Sequence, residues 1–317
     1  MYAWLDAHLI ALADLLGTDT LVLNPLLAVV LVSLTCGLVG STVVSSRMAF
    51  FSDAMAHTAF AGVATAVLTI IILADVRSTK EADAYLWLIQ PVMVGVGVAV
   101  GAAIVFVRER SGLSNDTVIG VFFAGAIGVG AMVLPAARNR VNIDVDTILF
   151  GSVTLARAAD LVPLALLLVL TAAAVGWRFN ALALASFNPS LARSRGVGVR
   201  LNNYLFVVLL AVVVNVAIKS VGVLLINALL VVPAAAAANV GGNLRQVFWL
   251  TLAGTVAAGV AGQQLSAQLE VPLGGVPIHL GPSGTIVVVA VGWFAVSLAV
   301  AAARGRLRGA GPADRAS

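Results

Sequence analysis

Nine stretches of this chain run for 16 to 22 residues with little or no charge, at about 25–44, 54–74, 86–107, 117–134, 158–176, 203–218, 220–238, 247–267 and 285–303. A helix needs roughly 20 apolar residues to cross the hydrocarbon of a bilayer, and its backbone groups there must be satisfied within the segment. The pattern therefore specifies an all-α, polytopic transmembrane helical bundle. The sixth and seventh runs are separated only near Lys219, so they are either two spans or one broken helix, and the count is 8 or 9.

Composition agrees. Charged residues are 10% of the chain and hydrophobic residues 61%, against roughly 25% charged in an ordinary soluble domain, so a water-soluble globule is excluded. The net charge of +4 belongs to basic loops rather than to nucleic-acid binding. With nine alternating spans and the N-terminus outside, 12 of the 18 Lys and Arg fall inside, as retention of basic loops in the cytoplasm requires. Residues 1–24 carry Asp6, Asp14 and Asp19 and no basic n-region, so they read as an amphipathic segment rather than a signal peptide. Residues 25–303 form the transmembrane domain, and 304–317, rich in Arg, Gly and Ala, a disordered cytoplasmic tail. The single cysteine, Cys36, excludes an intrachain disulfide.

The stretch with most chemical content is Ser52-Asp53-Ala54-Met55-Ala56-His57. On a helix, Asp53 and His57 stand at i and i+4 on one face, with β-carbons roughly 5–6 Å apart, so one divalent ion can touch both. A carboxylate and an imidazole suit Mn²⁺, Fe²⁺ or Zn²⁺. Two ligands hold such an ion weakly, but duplicated across a symmetric homodimer they become four, enough for a site an ion enters and leaves. The alternative is local: Ser52 caps the helix, Asp53 complements its positive end, and His57 hydrogen-bonds within the bundle. Depth in the bilayer separates the two readings, because an intramembrane acid is costly and needs a partner or a function.

The segment Arg47-Met48-Ala49-Phe50-Phe51-Ser52-Asp53-Ala54-Met55-Ala56-His57-Thr58-Ala59-Phe60-Ala61-Gly62 resembles the first signature of the zinc/manganese/iron ABC importer permeases. Further blocks follow in that family's order: Asp116-Thr117-Val118-Ile119-Gly120, Ile148-Leu149-Phe150-Gly151-Ser152, Val221-Gly222-Val223-Leu224-Leu225 leading into Leu229 to Ala237, and Pro282-Ser283-Gly284-Thr285-Ile286. The resemblance spans about 25–303. It implies a type II-like permease in the inner or plasma membrane. Such a permease works as a dimer with two separate ATP-binding subunits and an extracytoplasmic metal-binding protein, and it holds no permanent cofactor. It also implies that Asp53 and His57 belong to the metal path. Three departures bear on substrate choice: Ser52 where the family usually has glycine, Asn227 where it tends to have a small hydroxyl residue, and a long outside loop from Gln268 to Gly284.

Phe187 to Gly196 reads as a short cytoplasmic helix, with Asn188 as cap, Pro189 in the first turn and Gly196 at the end. The resemblance implies that this is the coupling helix, with Asn188, Pro189, Ala192, Arg193 and Gly196 facing the ATPase. A basic helix on anionic lipid is the alternative. Pro233 removes a backbone donor within an apolar helix, which predicts a kink. His8 on the N-terminal segment, and His279 and Glu270 in the outside loop, are weaker candidates. The chain has no GxxxxGK[ST], HExxH or GxSxG, so ATP hydrolysis is expected on another subunit and the chain is not expected to be an enzyme. The competing functions are a permease for a siderophore or cobalamin-type chelate, a gradient-driven secondary transporter, and a membrane scaffold.

Overall fold

The computed structural model describes residues 3–73, 84–137, 156–273 and 276–309. Its helices are α1 (Ala3–Leu16), α2 (Thr20–Ser45), α3 (Ala49–Leu73), α4 (Ile89–Ser111) after a 3₁₀ turn at Leu86–Leu88, α5 (Asn115–Ala137) and α6 (Ala158–Phe187). They continue with α7 (Pro189–Ser194), α8 (Val199–Val221), α9 (Val223–Val240), α10 (Leu244–Gln268) and α11 (Pro282–Gly309). Among the described residues, nine helices are long and apolar enough to cross a membrane. The chain is a multi-pass membrane protein whose spans are all helical.

The sixth and seventh runs part at Gly222. Helix α8 ends at Val221 and α9 begins at Val223, with Gly222 between them at φ 82°, ψ 165°, a region open essentially only to glycine. The break lies three residues beyond Lys219, because the hydropathy dip marks a charge whereas the chain turns where no Cβ obstructs it.

Three other boundaries differ from the sequence reading. The first span begins at Thr20, capped by the Asp19 carboxylate, which accepts from the Leu21 amide at 3.3 Å. Helix α11 continues beyond Arg304 to Gly309, so the irregular tail expected from 304 begins as helix, and 310–317 lie outside the described residues. In the outside loop, β1 (Glu270–Leu273) and β2 (Val276–His279) pair antiparallel, with Glu270 opposite His279, a short hairpin that apolar periodicity does not reveal. The Ile148–Ser152 block also lies outside the described residues.

Burial sorts the spans. In α2, α3, α8 and α9 more than half of the spanning window is buried, against 17% in α11. Of these, α3, α8 and α9 carry most of the largest fully buried side chains, among them Phe51, Met55, Leu210, Ile226 and Leu229. Around them α3 packs with α4 and α5, α9 packs with α10 and α11, and α2 and α8 join the two groups while holding α6. Lipid tails are as apolar as leucine, so cohesion comes from close packing and polar contacts rather than from expulsion of water. Small residues permit that closeness. A Cβ at Gly40 would stand 2.6 Å from the Leu230 carbonyl oxygen, and one at Gly37 3.0 Å from the Leu252 Cα, so α2 lies almost backbone to backbone against α9 and α10.

Candidate functional site

Helix α3 enters the bundle from a three-residue turn after α2. In that turn the Ser46 amide donates to Thr42 O, the Met48 amide to Val43 O and the Phe51 amide to Met48 O, and Arg47 sits at φ 54°. These bonds fix the start of α3. Phe51, Ala54, Met55, Ala56 and Ala59 are then completely buried, and Ser52 closes onto its own helix by donating to Ala49 O at 2.7 Å. Apolar packing on the remaining sides leaves Asp53 and His57 on the one face of this stretch that the chain does not cover, with side chains 39% and 25% exposed.

On that face His57 Nε2 lies 3.8 Å from Asp53 Oδ1, too far for a hydrogen bond. Two ligands at about 2.1 Å on one tetrahedral ion stand roughly 3.4 Å apart, so a few tenths of an ångström close the pair around a cation. The imidazole is held between rings. It stacks on Phe60 at 6.0 Å and takes Phe123 of α5 edge-on at 4.9 Å. Its Nδ1 is buried and has no hydrogen-bond partner.

A third polar group completes the arrangement. The amide Nδ2 of Asn227, from the first turns of α9, donates to Asp53 Oδ1 at 2.6 Å, across 174 positions of sequence. In the sequence Asn227 stood out only as a departure from a familial pattern. No local spacing could have placed it on Asp53. Among the described residues no three His, Cys, Asp or Glu side chains gather in a group, so one chain offers an acid, an imidazole and an amide.

The remaining candidates lie elsewhere. Helix α7 is capped by Asn188, whose Oδ1 accepts from the Leu191 amide at 3.0 Å. It ends through Arg195, with Gly196 at φ 73°, and Ala192 fully buried beneath it. Beside it a cavity of about 580 Å³ is lined by Arg108, Glu109, Arg193, Val199, Arg200 and Asn203, with Arg200 Nε 2.7 Å from Glu109 Oε2. Pro233 is buried within the continuous helix α9. His8 Nδ1 donates to Trp4 O at 2.8 Å on the exposed side of α1. For Glu270 and His279 only the backbone is described.

Comparison with known proteins extends the picture. Residues 18–301 match the ABC 3 transport family. The manganese transport system membrane protein MntC of Listeria innocua is 27% identical over 71% of this chain and 74% of its own length. A probable iron transport system membrane protein of Haemophilus influenzae is 24% identical over 79% and 86%. Among solved structures, PsaBC from Streptococcus pneumoniae in complex with Fab superposes with a TM-score of 0.71 at 24% identity, covering 92% of this chain and 94% of that one, which establishes a shared fold.

Proposed function

Because the chain belongs to the ABC 3 transport family, we propose that it is the plasma-membrane permease of an ATP-driven importer of a divalent transition metal, with manganese as its first candidate. The carrying observation is the uncovered Asp53–His57 face within a stretch of α3 whose Phe51, Ala54, Met55, Ala56 and Ala59 are fully buried. A carboxylate and an imidazole there are costly unless they meet a partner or serve a route. One chain supplies too few ligands to retain an ion, and a second copy related by a twofold axis supplies the rest. The ion is then held between two chains, strongly enough to leave water and weakly enough to leave the site.

ATP is hydrolysed on separate subunits. Helix α7 and the arginine-lined cavity beside it form the cytoplasmic surface on which those subunits push, and an extracytoplasmic binding protein delivers the metal at the opposite face. The names of the manganese and iron relatives support the choice of cargo. The zinc reading drawn from the donor set remains an arm of the test.

The test is uptake of radioactive manganese, iron(II) and zinc by cells that depend on the intact transporter, with Asp53→Ala and His57→Ala at matched membrane levels. Uptake of the cargo metal should fall at least tenfold in both. Undiminished uptake in both variants removes the site, and uptake of a ferric chelate in place of the free ions removes the cargo class.

A further inference from the structure

The Asn227 side chain meets Asp53 with one end of its amide bonded and the other end unsatisfied. With no ion bound, the amide NH₂ must point at the carboxylate, because amide oxygen against carboxylate oxygen at 2.6 Å would repel. That is the orientation present, Nδ2 donating to Asp53 Oδ1. The cost falls on the other end of the same group: Asn227 Oδ1 is buried and has no hydrogen-bond partner. A buried acceptor left unpaired costs about 1–3 kcal/mol, and a serine or alanine at this position would avoid it.

We propose that Asn227 is an ion-exchanged ligand. It holds Asp53 through its NH₂ in the empty state, and when a cation reaches Asp53 it turns about its terminal torsion to present Oδ1 to the metal. The turn pairs Oδ1 with the metal and moves the NH₂ into the buried position that Oδ1 leaves, so the ion shared with the carboxylate, in place of the hydrogen bond, is what drives it. The inference rests on the proposed metal path and deepens it by adding a specificity-determining residue. Two copies of Asp53, His57 and Asn227 supply six donors, four oxygens and two nitrogens. Six oxygen-rich donors favour an octahedral ion such as Mn²⁺ over Zn²⁺, which is satisfied by four. Removing the two amide oxygens leaves two Asp and two His, a set that suits zinc as well as manganese.

The experiment is the ratio of manganese to zinc uptake by the intact transporter in cells, a quantity in which expression level cancels. Asn227→Ala is expected to lower the ratio about 10- to 100-fold, the range that supporting and ligating groups around a metal command. Asn227→Leu, which keeps the branched heavy-atom skeleton of asparagine without its polar atoms, should do the same without opening a cavity, and answers if the alanine variant does not reach the membrane. Asn227→Asp separates ligation from mere hydrogen bonding. It keeps an oxygen donor and, once a cation displaces the proton the two carboxyls share in the empty state, can no longer donate to Asp53, so it should preserve the preference for manganese. A ratio unchanged in both the alanine and leucine variants overturns the inference while leaving the permease reading intact. An aspartate variant that loses the preference as alanine does overturns the ligand role. Failure of the unsubstituted transporter to carry either metal overturns both.

Discussion

Gly40→Ala tests whether near-contact of backbones holds this bundle together. The new Cβ would stand 2.6 Å from the carbonyl oxygen of Leu230 and 3.4 Å from Thr251 Cγ2. A carbon and a carbonyl oxygen settle no closer than about 3.3 Å, so α2 and α9 must part by about 0.7 Å. The obstacle is backbone, so no side-chain rotation relieves it. Overpacking of this kind costs about 1–3 kcal/mol, and a gap of that width forfeits a quarter to a half of the dispersion energy of atoms facing each other across the seam. Alanine returns up to about 1 kcal/mol through its helix propensity. A net loss of about 1–2 kcal/mol follows, a factor of about 5 to 30 in the folding equilibrium. Gly176→Ala in α6 is the control, since a Cβ there meets nothing within 4 Å and should leave stability unchanged or slightly raised. Reversible unfolding in mixed detergent micelles reads both variants on one scale. If Gly40→Ala proves as stable as Gly176→Ala, the two helices are not packed as described and the reasoning fails.

Gly222→Ala places a Cβ at φ 82° and should destabilise by about 1–3 kcal/mol in the same assay, whereas a span break set by Lys219 would leave it silent. Asn188→Ala removes the cap of α7. It should lower transport-coupled ATP hydrolysis in the assembled transporter while costing only about 1 kcal/mol of stability, measured as ATPase activity with and without the metal-loaded binding protein. Lys219→Met breaks the contact of Lys219 Nζ with Asp160 Oδ1 at 3.4 Å. The lysine is well exposed, so the unfolding free energy should change by less than about 1 kcal/mol.

The membrane class, the nine apolar runs and the pairing of Asp53 with His57 follow from the sequence because each is a local property. Hydropathy is a sum over neighbours, and an i, i+4 pair meets on any helix. The cap of α7 by Asn188 is equally local, and the structure forms it with the residues expected. The break falls at Gly222, three residues beyond Lys219, because charge is a weaker guide to a turn than backbone freedom. The hairpin at 270–279 is not legible in the sequence because four-residue strands, each interrupted by a proline, are too short to show an alternating period. Which face of α3 stays uncovered, and which distant residue reaches Asp53, depended on how α3, α5 and α9 close on one another. The contact between Asn227 and Asp53 spans 174 positions, and nothing in either neighbourhood encodes it. Covalent spacing alone determines the i, i+4 pairing of Asp53 with His57, whereas only the packing of α9 on α3 in three dimensions brings the amide to the carboxylate, because such proximity is a property of the whole bundle.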